Sequence, residues 1–149
     1  MDDTEARDLE TLSPELPTKI GGFALAITGI FTVVMAAQTY AVWFMRGWHI
    51  AVPFVMLALG VSGVPLGWKV ATLRGWASIA GTAVAALSTL VFGAWAVYSL
   101  VHGFVSLLGL AIVPMSAITC ALSATTISAG IRADEARERL HKSGLRMGF

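Results

Sequence analysis

Few side chains in this 149-residue sequence could do chemistry, and two histidines beside apolar segments are the first candidates. They belong to a candidate polar cluster of four residues: Gln38, Arg46, His49 and His102. Paired histidines can ligate a haem, but axial haem ligands lie within facing helices, whereas these two lie at segment ends. A metal site needs a third ligand, and the single cysteine, Cys120, lies far along another segment. We therefore predict no metal and no cofactor, and interpret both histidines as interfacial side chains that bind water or lipid headgroups.

Hydroxyl groups around residue 120 form the second candidate site. Ser116, Thr119, Ser123 and Thr126 are spaced three, four and three residues apart, so they share one face of a helix. Hydroxyls in an apolar helix can donate to the carbonyl four residues earlier, and therefore need not line anything. If several copies assembled around an axis, this face would line a wet path. It is a candidate pore lining or buried polar stripe, and packing of the chain against itself is the favoured interpretation.

Glycines form the third candidate site, in the second apolar segment. Gly60, Gly63 and Gly67 are spaced three and four residues apart and therefore lie on one helix face. Small residues at this spacing allow helix backbones to approach closely in a membrane. The face predicts either packing within this chain, which is favoured, or an interface with a second copy or a partner.

Acidic residues are absent from the whole central region, because no Asp or Glu lies between Lys19 and Arg132. Transporters coupled to protons or sodium usually need a carboxylate inside the membrane. Intramembrane proteases and hydrolases with two catalytic carboxylates need such groups as well. The sequence therefore predicts that the protein is not an enzyme and not a coupled transporter.

Four uncharged stretches must position these residues, at about 20–45, 48–68, 75–101 and 104–131. Each reaches the roughly 20 residues that a helix needs to cross a bilayer. The composition agrees, with 56% hydrophobic residues, 13% charged residues and a mean hydropathy of +0.76. Short connections make consecutive helices antiparallel neighbours. We predict an all-α membrane protein with four antiparallel transmembrane helices, a domain of residues 20–131.

Charged residues are concentrated in the two tails, an acidic one at 1–19 and a basic one at 132–149. With four spans, nine of the ten Lys and Arg residues fall on the side that carries both termini, and only Arg46 falls opposite. Because cytoplasmic flanks retain positive charge, both termini are predicted to be cytoplasmic, in the inner membrane if the source is bacterial. A nucleic-acid partner is not expected, because the basic residues do not form one dedicated surface.

The fourth helix is predicted to continue beyond the membrane into the basic tail. No Pro or Gly interrupts residues 132–142, and Glu135 with Arg139 and Glu138 with Lys142 have the spacing of helical ion pairs. A narrow apolar stripe on this extension fits a docking contact, and consists of Ala133, Ala136 and Leu140.

These features predict a non-enzymatic protein that acts by assembly, as an accessory or structural subunit of a membrane complex or as a homo-oligomer. Its predicted partners are the lipid bilayer and other membrane subunits. One alternative is a small channel, or uncoupled permeation protein, lined by the hydroxyls of the fourth helix. A second alternative is a haem- or quinone-binding membrane subunit that uses His49 and His102.

Overall fold

The computed structural model describes residues 3–13, 15–43, 50–103 and 107–142. The regular structure within these ranges is helical. The predicted all-α class is therefore confirmed for the described part of the chain. Its six helices are α1 (Asp3–Thr11), α2 (Leu16–Trp43), α3 (Ala51–Ala71), α4 (Gly75–Val101), α5 (Leu107–Thr125) and α6 (Ile127–Lys142).

Four helical segments are long and apolar enough to cross a membrane, by length and composition. This agrees with the predicted number of spans. The first segment covers parts of both α1 and α2, and the last covers α5 and α6, so both are longer than the predicted stretches 20–45 and 104–131. The segments are Ala6–Ala41, Ala51–Ala71, Gly75–Val101 and Leu107–Lys142.

A single residue, Thr126, separates α5 from α6. Its backbone N–H donates to the carbonyl of Ser123, three residues earlier, which is the spacing of a 3₁₀ turn. The Thr126 hydroxyl donates to the same carbonyl at 2.7 Å and lies 3.2 Å from Ser78 Oγ of α4. The predicted extension of the fourth helix is present, but it begins at this turn, within the stretch 104–131.

The core lies between α2, α3, α4 and α5, and α2 packs against both α3 and α5. Each of these helices turns one side inward, where glycines, serines and threonines lie beside larger apolar residues, while many other large apolar side chains face outward. Two clusters of buried apolar residues fill the space between the helices. One contains Met35, Ala36, Met56, Phe92 and Ile112, and the other contains Leu25, Val70, Ala77 and Ala85.

The outer surface of the long helices carries many large apolar side chains. Large side chains such as Phe23, Phe54 and Leu90 are more than half exposed, at 61%, 57% and 70%. A water-soluble bundle does not leave apolar patches of this extent uncovered. The exposed surface therefore fits an integral membrane protein.

Candidate functional site

All three predicted glycines of α3 pack against α2 of the same chain. A Cβ atom at Gly67 would lie 2.5 Å from the carbonyl oxygen of Gly22, and one at Gly60 would lie 2.8 Å from that of Gly29. At Gly63 the nearest atom would be the Cα of Gly29, at 3.2 Å. Of the two interpretations of this face, the structure shows close packing within the chain. A second chain could reach these glycines only if α2 moved away.

The glycines of α2 that form the other half of this contact were not predicted. A Cβ atom at Gly22 would lie 2.5 Å from the Gly67 oxygen, and one at Gly29 would lie 2.7 Å from the Gly60 oxygen. The signal was present, because Gly22 and Gly29 are seven residues apart, as are Gly60 and Gly67. Two helices that pack closely over two turns need small residues at the same interval on both contacting faces.

The predicted hydroxyl face of the fourth helix is buried inside the bundle. Because these side chains are covered by helices of the same chain, a path between copies could use them only after the bundle opened. The structure thus favours a buried polar stripe over a pore lining. The exposed fraction is 0% for Ser116 and Ser123 and 2% for Thr119 and Thr126.

Three cross-helix contacts between hydroxyls tie this face to its neighbours, and one of them is the contact of Thr126 with Ser78 described above. Thr28 Oγ1 of α2 and Thr119 Oγ1 lie 2.7 Å apart, and Thr119 also donates to a carbonyl of its own helix at 2.9 Å, so Thr28 is the donor between them. Thr89 Oγ1 of α4 lies 3.1 Å from Ser116 Oγ. The sequence did not show which hydroxyls would meet. Such contacts stabilise membrane helix pairs modestly, by about 0.6 kcal/mol each.

Ser123 and Cys120 complete this region. Ser123 Oγ is the one buried side-chain oxygen without a hydrogen-bond partner in the described part of the chain. The Cys120 thiol is half-buried and lies 3.8 Å from the carbonyl oxygen of Thr82 in α4. Both side chains are accommodated within the packing of α5 against its neighbours.

The candidate polar cluster is only partly described. Arg46 and His49 lie outside the described residues. Gln38 and His102 are both exposed, and His102 follows the last residue of α4. The His102 ring stacks on Tyr98 with centroids 4.1 Å apart, and its Nδ1 lies 2.8 Å from the Tyr98 carbonyl oxygen. His102 is thus held at the end of its own helix by a residue one turn earlier.

The apolar stripe on α6 is docked within the chain, as its pattern predicted. Ala133 and Ala136 are 0% exposed and Leu140 is 2% exposed, and α6 packs against α1 and α4. Arg139 of α6 makes two hydrogen bonds to Asp8 of α1, at 2.8 and 3.1 Å. The acidic and basic tails therefore contact each other.

Ion pairs on α6 follow the sequence prediction in one case and depart from it in another. Lys142 pairs with Glu138 at 2.7 Å, as the spacing of four residues predicted. Arg139 instead binds Asp8, although Glu135 has the same spacing from it. The reason is geometric, because docking of α1 presents both Asp8 oxygens to the guanidinium, and a two-bond contact is stronger than one exposed pair.

A second contact of α6, which sequence analysis missed, holds the connection between α3 and α4. Arg137 donates from Nη1 to the Leu73 carbonyl at 2.7 Å and from Nη2 to the Thr72 carbonyl at 2.9 Å. Asp134 accepts from the backbone N–H of Gly75 at 2.8 Å and from Arg137 at 2.7 Å. We call Asp134 and Arg137 the loop clamp.

The charges of the loop clamp match the helix ends that they contact. The Asp134 carboxylate lies at the N-terminus of α4, where the helix dipole is positive, and Arg137 lies at the C-terminus of α3, where it is negative. Leu73 has a positive φ of 56°, which is strained for a residue with a side chain. Its carbonyl is the group that Arg137 holds, so the clamp also stabilises this turn.

Comparison with known proteins gives no family for this chain. No family model matches the sequence. No curated protein and no solved structure matches it either. The described residues contain no group of three or more His, Cys, Asp or Glu side chains arranged as metal ligands.

Proposed function

We propose that this protein is a non-enzymatic integral membrane protein with four antiparallel transmembrane helices. It acts by assembly, as an accessory or structural subunit of a larger membrane complex or as a homo-oligomer. The four segments of membrane length support the spanning arrangement. The order of the glycine contacts supports the antiparallel one, because Gly22 meets Gly67, whereas Gly29, later in α2, meets Gly60, earlier in α3.

The proposed orientation places both termini in the cytoplasm and the spans in a bacterial inner membrane. It rests on the distribution of Lys and Arg, nine of which flank one side of the four spans. The contact between α1 and α6 is compatible with it, since both helices must then lie at the same face of the membrane.

The first prediction tests this orientation. An alkaline-phosphatase reporter, active only on the outer side, is expected to be inactive when fused after Phe149 and strongly active when placed after Gly47. A fluorescent reporter that folds only in the cytoplasm should give the opposite pattern at the same two positions. Reversed or equal signals would contradict the proposed orientation.

The assembly proposal rests on the small size of the side chains that the fourth segment exposes. In α2, the exposed residues from 20 to 34 are all large: Ile20, Phe23, Ile27, Ile30, Phe31 and Val34. In the fourth segment, Ile118 is the one large apolar side chain exposed between residues 111 and 128. The others exposed there are small or compact: Ala111, Pro114, Ala117, Ala121, Ala124, Thr125 and Ser128.

Four of these residues form a continuous surface, which we call the alanine face. They are spaced four, three and four residues apart, so they share one side of the helix. Lipid competes with large apolar side chains on equal terms, and membrane helices therefore associate where small side chains let their backbones approach. The alanine face consists of Ala117, Ala121, Ala124 and Ser128.

This surface replaces the glycine and hydroxyl faces as the proposed site of assembly. Those faces are occupied within the chain, whereas the alanine face is exposed along its length. The partner helix is either the same face of a second copy or a small-residue face of another subunit. The channel and the cofactor alternatives gain no comparable support from the described residues.

The second prediction tests the alanine face. Ala121→Leu is expected to weaken assembly in nanodiscs about tenfold or more, because the larger side chain would prevent close approach of the partner backbone. A tenfold change corresponds to a loss of about 1.4 kcal/mol in the free energy of association. The measurement is the mass distribution by native mass spectrometry across protein-to-lipid ratios.

The matched control is Ala83→Leu, which makes the same change at an exposed alanine of α4. Ala83 lies between the exposed Ile79 and Leu87, on a surface of large side chains, so the added leucine should leave assembly unchanged. Equal effects of the two substitutions, or wild-type protein that is monomeric and free of co-purified subunits throughout, would contradict the proposal.

A further inference from the structure

We infer that four cations at one end of the bundle, which form no ion pair with any described residue, bind the phosphate groups of anionic phospholipids. Three of the four membrane-length segments contribute one each, and the fourth cation, Arg74, directly precedes the remaining segment. Three side chains are exposed and that of Arg74 is half-buried. We call this set the cation ring, and it consists of Lys19, Lys69, Arg74 and Arg132. The inference rests on the proposed membrane location and adds a class of ligand to it.

Close contacts between α2 and α3 place the first two cations side by side. A Cβ atom at Gly22 would lie 2.5 Å from the Gly67 oxygen and 2.7 Å from the Ala71 nitrogen. Lys69 lies between Gly67 and Ala71 in the sequence, and Lys19 lies less than one turn before Gly22. Both lysines are therefore at the level of this contact.

A close contact between α4 and α6 places the two arginines near each other. A Cβ atom at Gly130 would lie 2.8 Å from the Cα of Gly75. Arg74 directly precedes Gly75, and Arg132 follows Gly130 by two residues. The arginines therefore flank one contact, as the lysines do.

The two pairs are joined through α2 and the turn before α6. A Cβ atom at Gly21 would lie 3.0 Å from the methyl carbon of Thr126, and Thr126 is about one turn before Gly130. All four cations are therefore within about two helical turns of each other along the bundle axis.

The charges of the cation ring are not neutralised within the described part of the protein. None of its four members forms an ion pair there, and Arg132 donates only to the carbonyl of Ser128, one turn earlier. The oxygens of the Asp134 carboxylate accept from Gly75 and Arg137 instead. Glu15 and Glu135 lie within about one turn of members of the ring in sequence, but form no ion pair with them.

Cations further along α6 behave differently. Each binds an acidic side chain of the protein: Arg137 binds Asp134, Arg139 binds Asp8 and Lys142 binds Glu138. These three cations of α6 are thus paired within the protein, whereas those at the ends of the spans are not. An external anion can therefore bind this layer without displacing an internal partner.

Two exposed tryptophans identify this layer as the membrane interface. Trp68 precedes Lys69 and is 68% exposed, and Trp76 follows Arg74 by two residues and is 57% exposed. Tryptophan favours the headgroup region, where the ring is in an apolar setting and its N–H reaches water. Cations at that depth meet lipid phosphates. The four cations outnumber the two exposed acids nearest to them, Glu15 and Glu135, and this excess of positive charge favours anionic over zwitterionic lipids.

The test uses the full-length protein in phosphatidylcholine nanodiscs that contain a minor fraction of phosphatidylglycerol. After release into mild detergent, native mass spectrometry gives the ratio of the two lipids retained. Phosphatidylglycerol is expected to be enriched over its bulk fraction. Lys69→Gln with Arg74→Gln should lower that enrichment, by about fivefold per removed charge.

Two variants serve as controls. Lys142→Gln removes one positive charge from a cation that is already paired, and should leave the enrichment unchanged. Lys69→Arg keeps the charge and should retain the enrichment.

Two outcomes would overturn the inference, and they are distinguishable. Protein that stays in the membrane through an alkaline carbonate wash, but retains the lipids in their bulk ratio, would refute the cation ring alone. Protein removed by that wash would refute the proposed membrane location, and the inference with it.

Discussion

Gly67→Ala is expected to destabilise the helical bundle by about 3 kcal/mol, the upper part of the range for overpacked sites. The added Cβ would lie 2.5 Å from the carbonyl oxygen of Gly22 and 2.8 Å from the backbone nitrogen of Ala26. Both obstacles belong to the backbone of α2, so a change of side-chain rotamer cannot relieve the clash. The helices would have to separate, and the contact along the rest of the interface would be lost. Unfolding in mixed micelles, followed by circular dichroism, measures the effect.

Two other glycines provide a graded control. Gly63→Ala should cost less, because its nearest atom would be 3.2 Å away. Gly93→Ala should leave the bundle intact or stabilise it by up to about 1 kcal/mol, since alanine is the better helix former and nothing lies within 4 Å of the new methyl group. If all three variants unfolded alike, close packing of α2 on α3 would not be what stabilises the bundle.

Arg137→Ala is expected to release α6 from the connection between α3 and α4. The change removes hydrogen bonds to the carbonyls of Thr72 and Leu73 and the ion pair with Asp134. The Arg137 side chain is 24% exposed, so water replaces these bonds only in part. We expect a loss of about 2 kcal/mol in the stability of the docked helix, equivalent to about thirtyfold faster amide exchange.

The measurement is hydrogen exchange across α6, with α3 as an internal reference. Lys142→Ala is the matched control, because it removes an exposed ion pair on the same helix and should leave exchange unchanged. Arg137→Lys should only partly restore protection. The planar guanidinium group of arginine reaches two carbonyls and a carboxylate at once, and the compact ammonium group of lysine cannot. Unchanged exchange in Arg137→Ala would show that the apolar stripe alone docks α6.

Much of the architecture is predictable from local features of the sequence. Uncharged stretches give the number and approximate bounds of the membrane-length helices, because span length depends only on bilayer thickness and helical rise. The spacing of Ala133, Ala136 and Leu140 indicates a docking surface, and Glu138 with Lys142 indicates a local ion pair. Both are present, since each depends on residues within one or two turns of a single helix.

Partners across the fold are less predictable. The sequence shows that Gly60, Gly63 and Gly67 share a face, but not that α2 covers it. In an apolar helix every face is apolar, so periodicity identifies neighbours along the helix and leaves the facing helix undetermined. The same reason explains why the alanine face was not distinguished from the buried faces until exposure could be compared.

The sequence by itself determined the helical class, the number of apolar segments, the charge asymmetry of the tails and the extension of the fourth helix. These properties follow from composition and from spacings of a few residues. Tertiary structure decided which small and hydroxyl residues are buried. It also decided that Arg139 binds Asp8, 131 residues away, and that Arg137 holds a carbonyl 64 residues away. Such contacts depend on how helices distant in sequence are brought together, and local spacing carries no information about that geometry.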